Sequence, residues 1–167
     1  MDVEKKSDPQ FRLAVESDAD TLLPFMREYY AFDGHGFDPA KARVALTALL
    51  RDSNRGRAWL ILDGDIPVGY AVLCFGYSLE WLGRDAFVDE LYLREEYRGR
   101  CWGGKAMAFV EEAARDAGIR ALHLEVVHEN AAALKIYSKM GFQEHESRFL
   151  SKWIARDSSK TQGRHGY

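Results

Sequence analysis

Alternating apolar and polar residues in Phe11-Arg12-Leu13-Ala14-Val15 predict a short strand near the start of the chain. Ser17-Asp18-Ala19-Asp20 then offers a helix start, and Leu22, Leu23, Phe25, Met26 and Tyr29 follow at helical spacing. Asp33-Gly34-His35-Gly36 ends that helix, and Asp38-Pro39 opens a second through Val44, Leu46, Leu49 and Leu50. The apolar runs at 59–62 and 68–73 flank Asp63-Gly64-Asp65, which predicts an antiparallel hairpin. A third strand over 86–93 leads into a glycine-bearing loop and a helix from about Gly104 to Ala117, stopped by Gly118. The pattern continues with a strand over 122–127 and a helix over 130–140 that Gly141 ends, Phe142 packing back on it. A last strand is predicted over 149–154. The expected organisation is one domain over 11–155, with a flexible segment over 1–10 and a polar, disordered tail over 156–167.

Composition narrows the possible partners. At 47% hydrophobic and 29% charged, the 167 residues suit a globular domain with its own core. A net charge of −3 lacks the basic surplus of a nucleic-acid-binding surface. No apolar run reaches the ~20 residues that cross a bilayer, so no membrane partner is expected. Met1-Asp2-Val3-Glu4-Lys5-Lys6 is charged where an export signal would be apolar, which points to a cytoplasmic location. Cys74 and Cys101 have no metal-site spacing and are read as reduced thiols, so no metal is expected.

The most informative segment is the loop Arg98-Gly99-Arg100-Cys101-Trp102-Gly103-Gly104-Lys105, placed between a strand and a helix. A glycine-rich turn at a helix start presents unpaired N–H groups and the positive end of the helix dipole, an arrangement that holds phosphate. Gly99 to Lys105 also spells GxxxxGK, nearly the phosphate loop of nucleotide hydrolases. Ala106 stands where such an enzyme needs Ser or Thr to hold magnesium, which excludes that reading. A dinucleotide fold is disfavoured too, because GxGxxG is absent and the preceding strands look antiparallel.

Val88-Asp89-Glu90-Leu91-Tyr92-Leu93 followed by Glu96-Tyr97-Arg98-Gly99-Arg100 resembles the cofactor motif of the GCN5-related N-acetyltransferases (GNAT). Arg98 and Gly103 match the ends of that family's [RQ]-x-x-G-x-[GA] loop, and Cys101 falls where the family usually has glycine. Leu124-Glu125-Val126, Glu129-Asn130 and Tyr137-Ser138-Lys139-Met140-Gly141-Phe142 continue the likeness, which spans about Phe11 to Ile154. The resemblance implies an α/β (α+β) fold, a mixed and mostly antiparallel sheet splayed open around acetyl-CoA and flanked by helices. It makes Arg98, Gly99, Arg100, Cys101, Trp102, Gly103, Gly104 and Lys105 cofactor-binding, the diphosphate meeting the backbone N–H groups from Arg100 to Lys105. The pantetheine arm would pair with the backbone of Leu91, Tyr92 and Leu93, and Asn130 would touch the middle of the cofactor. Cys101 is expected in a helical or extended backbone, where it costs little.

Acetyl transfer to nitrogen needs a neutral amine, yet an alkyl amine with a pKa near ~10.4 is mostly protonated at neutral pH. A base must take its proton, and the leaving thiolate benefits from an acid. The resemblance gives the acid role to Tyr137, against the alternative of an aromatic that only fills core. Asp89 and Glu90 are the base candidates, with Glu90 favoured through water and a structural salt bridge as the alternative. Strand geometry sends neighbours to opposite faces unless a bulge intervenes. In polyamine acetyltransferases, which this strand resembles, acidic residues at both positions line the amine site. Tyr29, Tyr30, Asp33 and His35 are candidate acceptor contacts, and Glu80 with Trp81 is placed at the cleft mouth, Glu80 joining the acidic pair around a cationic acceptor. His123, between Leu122 and Leu124, reads as structural.

The expected function is direct transfer from acetyl-CoA, the cosubstrate, to a primary amine in a ternary complex. Small amines, polyamines, amino acid derivatives, and a protein lysine or N-terminus remain open as acceptors, and a homodimer is a further expectation from the family. The competing class is a non-catalytic acyl-CoA-binding regulatory domain that kept the cleft and lost turnover.

Overall fold

The structure is a computed structural model describing residues 7–127 and 130–154. Expectations for 1–6, for Glu129 and for 155–167 lie outside the described residues. The chain forms two compact units, residues 1–124 and 125–167.

The first unit contains, in chain order, β1 (Gln10–Leu13), α1 (Ala19–Phe32), α2 (Pro39–Arg51), β2 (Gly56–Asp63), β3 (Ile66–Ser78), β4 (Gly83–Leu93), α3 (Trp102–Asp116) and β5 (Ala121–His123). Local chemistry sets several boundaries. Asp38 caps α2 by accepting from the backbone N–H of Ala40 and Lys41 at 3.0 and 3.2 Å, with Pro39 in the first turn where no donor is needed. Gly64 takes the left-handed conformation (φ 59°) that the tight β2–β3 turn requires, so Asp63 faces Ile66.

The sheet runs β1-β2-β3-β4-β5, antiparallel throughout except for the parallel β4–β5 pair. Strand alternation divides its side chains between two layers. Leu60, Tyr70, Val72 and Tyr92 pack with Leu22, Phe25, Met26 and Leu46 of α1 and α2. Trp59, Ala71, Leu73 and Ala86 pack with Val110 and Ala114 of α3, and Ile61 and Leu93 pack with Trp102 and Ala106. The expected mixed, mostly antiparallel sheet between helices is present.

The sheet opens on the β5 side. β5 pairs with β4 only from Asp85 to Phe87, while β4 continues to Leu93. The strand expected over 122–127 is therefore short, ending at His123, because its ladder with β4 stops there. In the second unit, α4 (Ala131–Lys139) is followed by Gly141 at φ 93°, and Phe142 donates its N–H back to Tyr137 O at 3.0 Å. The rings of Tyr137 and Phe142 meet edge to face at 5.8 Å, the predicted packing after the glycine stop. The strand expected over 149–154 is not formed. A strand needs a neighbour for its backbone groups, none is paired there among the described residues, and Phe149, Leu150, Trp153 and Ile154 stay exposed. Among the described residues no helix is long and apolar enough to cross a membrane, and no group of His, Cys, Asp and Glu is arranged to hold a metal.

Candidate active site

The registry of β3 against β4 shifts at one place. Val72 faces Glu90 and Leu73 faces Val88, which leaves Asp89 as an extra, unpaired residue. This is a β-bulge. Its effect shows in the packing: Ala86 and Val88 lie on the α3 side before it, and Leu91 and Leu93 lie there after it. The two residues between, Asp89 and Glu90, both turn to the α1 side, which strict alternation forbids. Asp89 accepts from the Cys74 thiol, and Glu90 accepts from the Tyr70 hydroxyl at 2.6 Å.

Glu90 is 7% exposed and is the one buried charged side chain among the described residues. Burial raises its carboxyl above the ordinary range, and the negative charge of Asp89 adds to the rise. Hydrogen bonds from Tyr70 and Tyr30 oppose it. Asp89 is raised as well, first by desolvation, against the Cys74 hydrogen bond. Its side chain keeps contact with solvent, so its charge is the better tolerated of the two. The phenols of Tyr70 and Tyr30 and the Cys74 thiol, the last pushed up to about 12, are all shifted upward by burial first. These three groups stay protonated and serve as donors. Of them, sequence reasoning singled out Tyr30 alone; a buried Tyr in an apolar strand, needing a partner for its hydroxyl, was the available signal for Tyr70.

The glycine loop meets β4 through Arg98, whose Nε donates to Leu93 O at 2.8 Å while its guanidinium lies over the rings of Phe32 and Tyr92. Gly99 is left-handed at φ 70°. Cys101 is left-handed as well, at φ 64° and ψ 9°, which corrects the expected helical or extended backbone. The reason is local: Cys101 is the residue at which the chain reverses into α3, and a left-handed residue followed by right-handed ones gathers successive N–H groups into an anion-binding concavity. Lys105 donates its N–H to Cys101 O at 3.1 Å, the first bond of the helix, so the amides of Trp102, Gly103 and Gly104 precede the ladder. Trp102 is buried against Tyr97 and contributes no exposed side chain. Lys105 pairs with Asp8, and Arg100 lies over the ring of Tyr97.

Along β4, Arg94 donates its N–H to Val68 O at 3.0 Å. Strand alternation therefore turns the backbone groups of Leu93 and Leu91 to the opposite, splayed edge and those of Tyr92 toward β3. Tyr92 is thus no backbone partner for a ligand at that edge, a correction to the sequence expectation. Its hydroxyl donates to Glu28 at 3.1 Å. A cavity of about 180 Å³ opens here, lined by Tyr29, Phe32, Leu91, Tyr92, Leu93 and Arg98.

At the end of α1, Tyr30 reaches Glu90, while Asp33 pairs with His35 at 3.0 Å beside the Tyr30 ring. Tyr29 packs on Tyr92. Glu80 is not with them. It lies in the exposed β3–β4 turn, before Gly83, and Asp89 is six residues further along the strand, about 20 Å away at strand rise. This corrects the grouping of Glu80 with the acidic pair. His123 lies against Trp81 and Phe87 and pairs with Asp85 at 3.4 Å. In the second unit, Asn130 is the N-cap of α4, its Oδ1 accepting from Ala133 N–H at 3.1 Å. The cap uses only the oxygen of the carboxamide. Tyr137 is half-buried, and desolvation raises its phenol.

Residues 23–142 match the acetyltransferase (GNAT) family. Thialysine N-epsilon-acetyltransferase of Mus musculus is 28% identical over 144 residues, 81% of this chain and 84% of the mouse protein. The Bos taurus protein of the same name is 37% identical over 82 residues, 49% of this chain, and the match spans about half of the bovine protein's length (48%). A solved integron cassette protein from the mobile metagenome of Cole Harbour Salt Marsh superposes with a TM-score of 0.78 at 34% identity, covering 89% of this chain and 92% of the other. With the family match covering most of its length, this chain belongs to the GNAT family of acetyltransferases.

Proposed function

We propose that the chain transfers the acetyl group of acetyl-CoA directly to an aliphatic primary amine, with Glu90 as the base and Tyr137 as the acid. The observation that carries this reading is Glu90 itself, a buried carboxylate turned by a bulge toward α1 and held by two phenols. A structural carboxylate in that position would be paired with a cation. Among the described residues, the groups acting on Glu90 are instead phenols and a second acid.

The loop suits a diphosphate. A Cβ added at Gly103 or Gly104 would meet nothing within 4 Å, and neither has a positive φ, so the chain's own packing does not require glycine at either place. Glycine at both places leaves the backbone open to close approach by an outside group. The amides from Arg100 to Gly104 would hold the diphosphate, and the outward backbone groups of Leu91 and the Leu93 N–H would hold the pantetheine arm.

Acetyl-CoA supplies an acetyl group activated as a thioester. Asp89 and Glu90 attract the cationic amine, and Glu90 takes a proton from its nitrogen, directly or through water. Burial brings the Glu90 carboxyl closer to neutrality, which makes it a better match for that task than an exposed carboxylate. The nitrogen–carbon bond forms as the carbon–sulfur bond breaks; the raised phenol of Tyr137 gives its proton to the departing sulfur, and the second proton shed by the new amide nitrogen returns to that phenolate through water. The name of the mammalian relatives supports a small, flexible aliphatic amine such as thialysine as acceptor.

A thiol-release assay with acetyl-CoA and a panel of thialysine, lysine and diamines tests this. Release should match acetylated amine one to one, and Tyr137→Phe should lower kcat at least about a hundredfold, the lower end of the range for lost acid catalysis. Tight acetyl-CoA binding with no turnover on any amine would identify a binding module instead.

A further inference from the structure

We propose that Tyr70 is a positioning residue for the reaction, fixing the Glu90 carboxylate from beneath the sheet surface so that one oxygen stays engaged while the group exchanges protons. The inference rests on the reading of Glu90 as base.

Tyr70 has no exposure at all, and its hydroxyl sits 2.6 Å from Glu90 Oε2. Its ring is locked between Phe25 and Tyr92, with centroids 6.3 Å away in each case. Tyr70 faces Tyr92 in the β3–β4 ladder and Val72 faces Glu90, so the phenol reaches diagonally along the sheet to the bulge. A buried phenol needs an acceptor, and a buried carboxylate needs a donor. Each residue answers the other's requirement.

The surroundings make this bond matter. Facing the cluster are Tyr70 and Cys74 from β3, Tyr29 and Tyr30 from α1, and Asp89 from β4 itself. None of these is a cation. Among the described residues, charge on Glu90 is therefore held by hydrogen bonds alone, against burial and against Asp89. Tyr30 is only half-buried, at a helix end near the Asp33–His35 pair, where an entering amine can displace it. Tyr70 cannot be displaced. It is the donor that persists when the acceptor enters.

The test follows two readouts in Tyr70→Phe, which keeps the ring and removes the hydroxyl. One is the midpoint of Glu90 ionisation by carbon-13 NMR of labelled carboxyls, assigned with Glu90→Gln. The other is the acid limb of the pH profile of kcat/KM. Both should move up by about one unit, with kcat lowered near neutral pH and KM for acetyl-CoA unchanged. Replacing Tyr70 with a ring-fluorinated tyrosine, a stronger donor of nearly the same shape, should move both downward and covers the case in which Tyr70→Phe folds poorly. If neither midpoint moves in either variant while Glu90→Gln is inactive, Tyr70 only packs and the proposal fails, leaving Glu90 as base. If the carboxyl midpoint moves and the acid limb does not, Glu90 is not the base and the proposal fails with that reading.

Discussion

Arg98, the first residue of the glycine loop, clasps the last carbonyl of β4: its Nε lies 2.8 Å from Leu93 O. The strand edge that would receive the pantetheine arm and the loop that would receive the diphosphate are thereby held in fixed relation. The guanidinium also closes one side of the cavity over Phe32 and Tyr92. Arg98→Gln should weaken acetyl-CoA binding at least about fivefold, near ~1 kcal/mol. Calorimetric titration reads this directly, and a thermal melt should show a smaller loss because the site is at the surface.

Gly103 and Gly104 separate ligand requirements from folding requirements. Both lie in the first turn of α3 with open space where a Cβ would go. Either Gly→Ala change should leave stability unchanged or raise it by up to about 1 kcal/mol, since alanine is the better helix former. The same changes should weaken acetyl-CoA binding at least about tenfold. Loss of stability without loss of binding would place the requirement inside the fold.

Cys101 carries a left-handed backbone without being glycine. Cys101→Gly should stabilise the protein by roughly 1 kcal/mol in urea unfolding, and Cys101→Val should destabilise it. Affinity for acetyl-CoA should change less than about threefold with glycine, because the amide already stands in the loop. A Cys101→Gly protein no more stable than the original would contradict the strain.

The buried Glu90 has a consequence for stability with a definite sign. Its carboxyl is raised in the folded state above its unfolded value, so the fold tolerates the neutral form better. No penalty is present below the unfolded value near ~4.3; it grows as pH rises from there to the folded value and is constant above it, at about 1.4 kcal/mol per unit of elevation. Glu90→Gln should therefore be more stable than the wild type at pH 7, with the gap closing toward pH 4. Melting curves across that range read it. The activity lost in the same variant is what the site gains from that instability.

Much of this was legible in the residues. Asp38-Pro39, Gly64, Gly118 and Gly141 mark turns and caps whose chemistry is local, and each stands where the pattern placed it. Strand alternation put Asp89 and Glu90 on opposite faces unless a bulge intervened, and the bulge that brings both to one face is visible only in the β3–β4 register. What was not legible depends on distant partners. β5 stops at His123 because its ladder with β4 stops, although Leu124 and Val126 continue the apolar alternation. The 149–154 segment has strand-like residues and no paired neighbour among the described residues. The handedness of Cys101 follows from how the loop must turn into α3, which composition does not encode. The Tyr70–Glu90 bond joins residues twenty positions apart whose meeting depends on the β3–β4 register.

The most direct measurement of the central claim is mass spectrometry of the acceptor after incubation with acetyl-CoA, run in parallel with wild-type and Glu90→Gln proteins. The wild type should add one acetyl group to a primary amine such as that of thialysine. Glu90→Gln should bind acetyl-CoA with unchanged affinity and turn over at least about a hundredfold more slowly near neutral pH, recovering part of that rate as pH rises toward the amine's own pKa. Equal product from both proteins at neutral pH, or none from the wild type with any primary amine, would contradict the claim.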